Sequence, residues 1–363
     1  MLEKHRAKEK ISDHFPLMDS ETTNLKILMF PWLAHGHIFP YLELAKRILK
    51  RKNCHIHICS TSINFTSINN FIQHNSLENS IELVELHLPP YHELPPHYHT
   101  TKNLPSNLVS ALLEAFQKSN SSFSEIITSL KPDLVIYDIF QPWAAKIASS
   151  KGVPAVHYAA FGAAIFSFIH HQYVCGPDDD FPSTAISLKN HERTDLDNFI
   201  NFIYTNIFEE DKDVFFVNFK LSSDIVLLRT CRGFEGKYMD YLSGLLKKKQ
   251  LVPIGPQVNH DHNRNDDEEN SEIIQWLSKR TMPMKLDQPI SARMLAEVGA
   301  CMEVSTDENG VYKGEELAKA MKKVVIDKSG DELRLRAQEL KEALDGAVEH
   351  LWQICMKNKR CKN

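Results

Sequence analysis

No apolar run in this chain approaches the ~20 residues that a bilayer-spanning helix requires, so no membrane span is expected. An apolar h-region is missing too. Met1 to Asn24 mixes charges of both signs, unlike a secretory signal, and Met18 makes residues 1–23 read as an optional N-terminal extension. The seven cysteines include no repeated C-x-x-C pair. An odd, dispersed set without an export signal points to reduced thiols and a cytoplasmic protein, in which the Asn64-Phe65-Thr66 sequon goes unused. The formal net charge of −5 supplies no field that would attract nucleic acid or an anionic membrane. Internal repeats are absent as well, which excludes a solenoid or propeller.

What is present is ordinary globular material. A composition of 42% hydrophobic and 25% charged residues is not that of a disordered chain, and 363 residues suit two domains. Short apolar runs alternate with helical patterns over the first two-thirds. Leu25–Phe30, His55–Cys59, Ile81–Leu88, Asp133–Asp138, Pro154–Ala159 and Asp224–Thr230 read as strands, and Leu108–Leu130 as one long helix. Ile38, Leu42, Ala45 and Leu49 recur at helical spacing after the first strand. Such alternation predicts a doubly wound α/β domain, its parallel sheet covered on both faces, over residues 24–257. Residues 258–271 are polar and acidic and read as a linker. Beyond it, residues 272–363 are mostly helical, with a short helix around Trp276, amphipathic runs at Glu315–Ile326 and Asp331–Leu344, a further helix at Ala347–Cys355, and one strand-like run, Ala300–Val304.

Ligands of open α/β sheets bind beyond the carboxyl ends of the strands. His37, in the loop after the first strand, and Asp138, closing DLVIYD, both fall there. An imidazole oriented by a carboxylate is the arrangement of general-base catalysis. Helix capping by the same two residues is the competing reading.

The residues from Phe30 to Lys46 (FPWLAHGHIFPYLELAK), then KPDLVIYD ending at Asp138, LLRTCRGFEGKY over Leu227–Tyr238, and VPIGP over Val252–Pro256, occur in an order that resembles the plant family 1 UDP-glycosyltransferases. The likeness spans Asn24–Arg280 and leans toward the branch that extends the sugar of an existing glycoside. It implies a GT-B-type α/β fold with two Rossmann-like domains. It also implies a UDP-sugar as co-substrate, without cofactor or metal, and as acceptor a phenolic, a terpenoid or one of their glycosides. A monomer is expected. On this resemblance His37 matches the catalytic base of G-H-x-x-P, Asp138 its partner, and Asp287 and Gln288 the pair that contacts the donor sugar. His97, Tyr98 and Phe161 are assigned to the acceptor pocket, with Gly162, Ala163, Ala164 and Phe166 beside it or in the core.

The departure from the family comes after Arg280. Its donor-binding strings, W-A-P-Q and H-C-G-W-N-S, do not occur, and TMPMKLDQP follows directly, a shortfall of ~100 residues against a two-domain member. The second Rossmann-like domain is therefore expected to be incomplete. Helices carrying Leu317, Met321, Val324 and Leu340 would form a poorly supported tail, and donor affinity would be weak because no anchored site receives the diphosphate. Two functions follow. One is glucosyl transfer from a UDP-sugar to an acceptor hydroxyl with inversion; the alternative is a catalytically inactive acceptor-binding protein.

Three other clusters invite a metal reading. Strand alternation puts His55, His57 and Cys59 on one face and Cys54 on the other, which favours buried or edge-strand residues over a zinc site. The Pro89–His99 loop favours a ligand contact over a metal. Asp178-Asp179-Asp180 reads as a solvated acidic turn.

Overall fold

The structure is a computed structural model that describes residues 24–50, 53–175, 181–207, 214–246, 249–255, 288–304, 313–325, 327–332 and 335. In chain order its elements are β1 (Leu25–Phe30), α1 (His35–Leu49), β2 (Cys54–Ser60), α2 (Phe65–His74) and β3 (Ile81–Glu85). There follow α3 (Val109–Gln117), α4 (Asn120–Leu130), β4 (Leu134–Tyr137), α5 (Pro142–Ser150), β5 (Ala155–Ala159) and α6 (Ala163–His170). Then come α7 (Asn190–Asn206), α8 (Val214–Leu221), β6 (Ile225–Leu228), α9 (Arg232–Leu245), β7 (Gln250–Pro253), α10 (Gln288–Glu297) and α11 (Gly314–Val325).

The seven strands form one sheet in the order β3-β2-β1-β4-β5-β6-β7, with every neighbouring pair parallel. Alternation along each strand divides the apolar residues between two cores. Leu28, Phe30, Val135 and Tyr137 pack on one face with Phe116, Phe123, Phe166 and Phe219. Ile27, Met29, Ile136 and Tyr158 pack on the other with Ile38, Tyr41, Leu42 and Ala45 of α1. The strand order reverses between β1 and β4, which opens a crevice beyond their carboxyl ends.

Two local expectations are corrected. The single helix over 108–130 is two, α3 and α4, broken at Lys118-Ser119. Gln117 turns its side-chain amide to the Phe140 carbonyl at 2.7 Å, and the Ser119 hydroxyl bonds back to Phe116 O at 2.7 Å. These side-chain bonds satisfy groups at the break and make it a defined corner. Residues 301–304 form no strand, having no ladder partner; the Cys301 thiol instead turns back toward Ala292 O.

Helix α10 is seated on the core on one face of the sheet. Ile290 and Met294 join the cluster that contains α6 and α9 residues, and the buried Arg293 pairs with Glu192 at 2.8 Å and Glu303 at 3.2 Å. Glu297 accepts bonds from Ser183 and from Tyr238 of α9. The side chains of Leu317, Met321, Val324 and Leu340 lie outside the described residues, as do the linker and the Trp276 helix. No helix among the described residues is long and apolar enough to cross a membrane. In the Asn64 sequon the side chain is buried, and its amide nitrogen is held by Ser60 at 3.2 Å and Thr61 at 3.0 Å.

Candidate active site

The chain leaves β1 at Phe30, and Ala34, in extended conformation, starts α1. The amides of His37 and Ile38 both bond to the Ala34 carbonyl, at 2.9 and 2.8 Å, so His37 sits in the first turn of the helix. Because Phe30 is in register with Tyr137, the residue after β4, Asp138, emerges beside that turn. His37 Nδ1 lies 2.7 Å from Asp138 Oδ2. The same oxygen accepts from the Trp32 amide at 3.0 Å, and Oδ1 from the Ile139 amide at 2.7 Å.

Asp138 is fully buried while the His37 side chain keeps 12% of its surface open. Burial alone would raise the Asp138 pKa. The imidazole beside it and the two amide donors outweigh that, holding the carboxyl below its usual range. An ionised Asp138 accepts a hydrogen bond from Nδ1–H and so leaves Nε2 of His37 as the acceptor nitrogen. The pair can therefore accept a proton from a bound hydroxyl.

Two aromatic rings frame the imidazole. Phe140 lies 5.6 Å from it and Phe161 5.7 Å, the latter edge-on. Phe161 stands two residues before the N-terminus of α6. There Glu235 accepts the amides of Ala163 (3.1 Å) and Ala164 (3.0 Å) and the Thr230 hydroxyl. Burial pushes the Glu235 carboxyl up, against these three donors. Gly162 is needed because a Cβ there would stand 2.6 Å from Glu235 Oε1. Phe166 is core, packed on Phe219 at 5.0 Å.

His97 and Tyr98 lie on a short turn, their rings 4.2 Å apart. The turn is tied to the site's own loop: the Thr101 amide bonds to Leu33 O at 2.9 Å, and the Thr61 hydroxyl to His99 O at 2.6 Å. No described contact joins either ring to His37. A cleft lined by His35, Phe39, Asn70, Phe71, His74 and Lys102 opens beside α1 and α2 without including His37. Asp287 and Asp178-Asp179-Asp180 fall outside the described residues, and so does the Gln288 side chain. Cys59 is buried in the core, whereas His55 and His57 meet Glu82 of β3. Burial and the neighbouring His55 hold the His57 imidazole below its ordinary value.

Phe140 and Glu235 are the site residues that sequence reasoning missed. Phe140 carries a signal, standing two residues past Asp138. Glu235 carries none of its own, because its partners at Ala163 and Ala164 are remote in sequence.

A family profile described as glycosyltransferase, N-terminal domain, matches residues 23–259. UDP-glucosyltransferase 29 of Panax ginseng is 33% identical over 456 aligned residues, covering 94% of this chain and 99% of that one. The flavanone 7-O-glucoside 2''-O-beta-L-rhamnosyltransferase of Citrus maxima is 38% identical over 255 residues, 70% of this chain and 54% of its own length. Among solved structures, a UDP-glucosyltransferase from Polygonum tinctorium superposes with a TM-score of 0.63 at 16% identity, over 93% of this chain and 99% of that one.

Proposed function

The chain belongs to the plant family 1 UDP-glycosyltransferases, with their GT-B-type α/β fold, and from that premise we propose what it catalyses. The reaction is transfer of a hexosyl group, glucosyl first, from a UDP-sugar to a hydroxyl of a plant small molecule or its glycoside, with inversion. The observation that carries this reading is the 2.7 Å contact between His37 Nδ1 and the fully buried Asp138.

In a single displacement, Nε2 of His37 takes the acceptor O–H proton as that oxygen attacks the anomeric carbon. The bond from that carbon to the diphosphate oxygen breaks, UDP departs with the electron pair, and attack from the opposite face inverts the centre. Asp138 holds the imidazole tautomer and stabilises the imidazolium as it forms. The ring carbon passes through an oxocarbenium-like state, as in glycoside hydrolysis. Phe140 and Phe161 provide apolar walls that keep water from the base. Acceptors that already bear a sugar are the preferred class, because the Citrus maxima relative is named for a flavanone glucoside.

The donor side is read as incomplete. The strings W-A-P-Q and H-C-G-W-N-S are absent from the sequence. The alignment to the Panax ginseng relative runs over 456 positions although this chain has 363 residues. This supports a second reading, an acceptor-binding protein without turnover. Calorimetric titration with UDP, with product analysis using UDP-glucose and a flavonoid glucoside, separates the two. Micromolar UDP affinity with turnover that His37→Ala abolishes establishes the enzyme; turnover surviving in His37→Ala sinks the assigned base. Acceptor binding without UDP binding establishes the second reading. Sequencing the transcript across Arg280-Thr281 tells whether that junction belongs to the gene product.

A further inference from the structure

We propose that His55, His57 and Glu82 bind one zinc-type divalent ion on one face of strands β2 and β3, away from the catalytic crevice. His55 and His57, two apart on β2, project to the same face. Strand alternation alone would add Cys59, but the fold buries that thiol and supplies Glu82 instead, in direct register with His57. The cluster sits along the first half of its strands, whereas His37 lies beyond the carboxyl end of β1.

The spacing suits a small ion. His57 Nδ1 is 3.4 Å and His55 Nε2 3.7 Å from the same Glu82 oxygen, and the three ligand atoms all lie within 4.8 Å of one another. Tetrahedral coordination with bonds of about 2.0–2.1 Å sets ligand atoms about 3.3–3.4 Å apart, so small side-chain adjustments close the set. Glu82 is 64% and His55 31% exposed, so both can make that adjustment, with the fourth position open to water.

An independent observation points to a ligand. His57 is 4% exposed, yet neither ring nitrogen makes a hydrogen bond among the described residues. Glu82 stands 3.4 Å from Nδ1 without forming a hydrogen bond, and a metal between the two would satisfy both groups. Two imidazoles and one carboxylate suit zinc better than magnesium or calcium, which prefer shells of oxygen. Lys26, in register with His55, is exposed, and its ammonium can turn to solvent. The bound ion would pin β3, which has no second strand beside it among the described residues, to β2.

The test uses the full chain after chelator treatment. Calorimetry with ZnCl2 is expected to show one tight equivalent, and CoCl2 the intense visible bands of a tetrahedral ion. Zinc should also raise the melting temperature. His57→Ala is expected to weaken this equivalent at least tenfold and to cancel the thermal shift. Because His57 is buried and its variant can fail to fold, the double variant His55→Gln/Glu82→Gln, at more exposed positions, provides the second arm with the same expected loss. A His92→Ala/His97→Ala control should keep the site. Absence of tight binding to the unaltered chain, or undiminished binding and cobalt bands in the double variant, overturns the proposal.

Discussion

A side chain at Gly162 has no room beside Glu235: its Cβ would stand 2.6 and 2.7 Å from the two carboxylate oxygens. That carboxylate caps α6 through the Ala163 and Ala164 amides, where negative charge meets the positive end of the helix. Gly162→Ala is therefore expected to displace Glu235 and destabilise the protein by about 1–3 kcal/mol in urea titration. Phe161 precedes this turn and packs on His37, so the acceptor KM should rise more than kcat falls. Gly236→Ala is the matched control. Its Cβ meets nothing within 4 Å, and in α9 it should be neutral or stabilising by up to about 1 kcal/mol. Equal behaviour of the two variants would defeat the argument.

The contrast between Asp138 and Glu235 shows what the sequence could disclose. Asp138 was legible because it closes an apolar strand, and strand ends beside a switch in sheet order are where ligands sit. His37 was legible for the same reason. Six strands of the parallel sheet were legible in alternating strand and helix patterns, whereas β7, four residues at the sheet's end, was not. Glu235 sits inside a helical pattern, and its role exists only once α6 has been folded against it. The break between α3 and α4 was hidden likewise, since the Phe140 carbonyl that receives Gln117 lies on another loop. Glu82 acquires its histidine partners only through the register of β2 with β3. Local pattern fixes elements and their ends, whereas contacts between distant side chains wait for the packing.

Asp138→Asn should cost far more activity than stability-matched core changes. The carboxylate meets three donors: the Trp32 and Ile139 amides and His37 Nδ1–H. A carboxamide supplies one accepting oxygen and one donating nitrogen, so in either orientation a donor faces a donor. Without the ionised partner the imidazole loses both its tautomer and the stabilisation of its protonated form. A fall in kcat of roughly 10^2- to 10^4-fold is expected, with the acceptor KM changed little. Initial rates of UDP-glucose turnover test this. A loss confined to KM would remove Asp138 from its assigned role.

Arg293→Ala should release α10 before it unfolds the sheet. The guanidinium is 7% exposed and pairs with Glu192 at 2.8 Å and Glu303 at 3.2 Å. It also donates to the Ser187 carbonyl. Removing one partner of a buried ion pair leaves the other charge uncompensated, a penalty of about 3–5 kcal/mol. Among the described residues the helix adds Ile290 and Met294 to the buried core and packs Leu295 against it, a small share of that core, so local detachment should precede global unfolding. Limited proteolysis should then cut within residues 288–304 of the variant while leaving β1 to β7 intact. A digestion pattern unchanged from the unaltered chain would contradict this.

Acid should weaken the fold in two separable windows. His157 is fully buried between the rings of Tyr137 (5.4 Å) and Phe219 (5.3 Å). Burial pushes its imidazole down to about 4, against the opposing pull of Asp138 and the Tyr137 carbonyl. An unfolded histidine titrates near ~6.5, so between these values the unfolded chain holds a proton that the folded chain refuses. The stability contributed by neutral His157 is thus complete above ~6.5 and is lost as pH falls through about 4, about 3 kcal/mol in all. Asp138, whose carboxyl is held below its ordinary range, acts lower. Its contribution is present above ~4 and is lost only as pH drops through its depressed folded value. Burial also lowers His35, His57 and His99, so they share the upper window. His157→Leu should therefore flatten the slope of unfolding free energy between ~6.5 and ~4 by about one proton, leaving the lower limb in place. Urea titrations at several pH values measure both slopes. An unchanged upper slope in the leucine variant would mean that His157 is not the group titrating there.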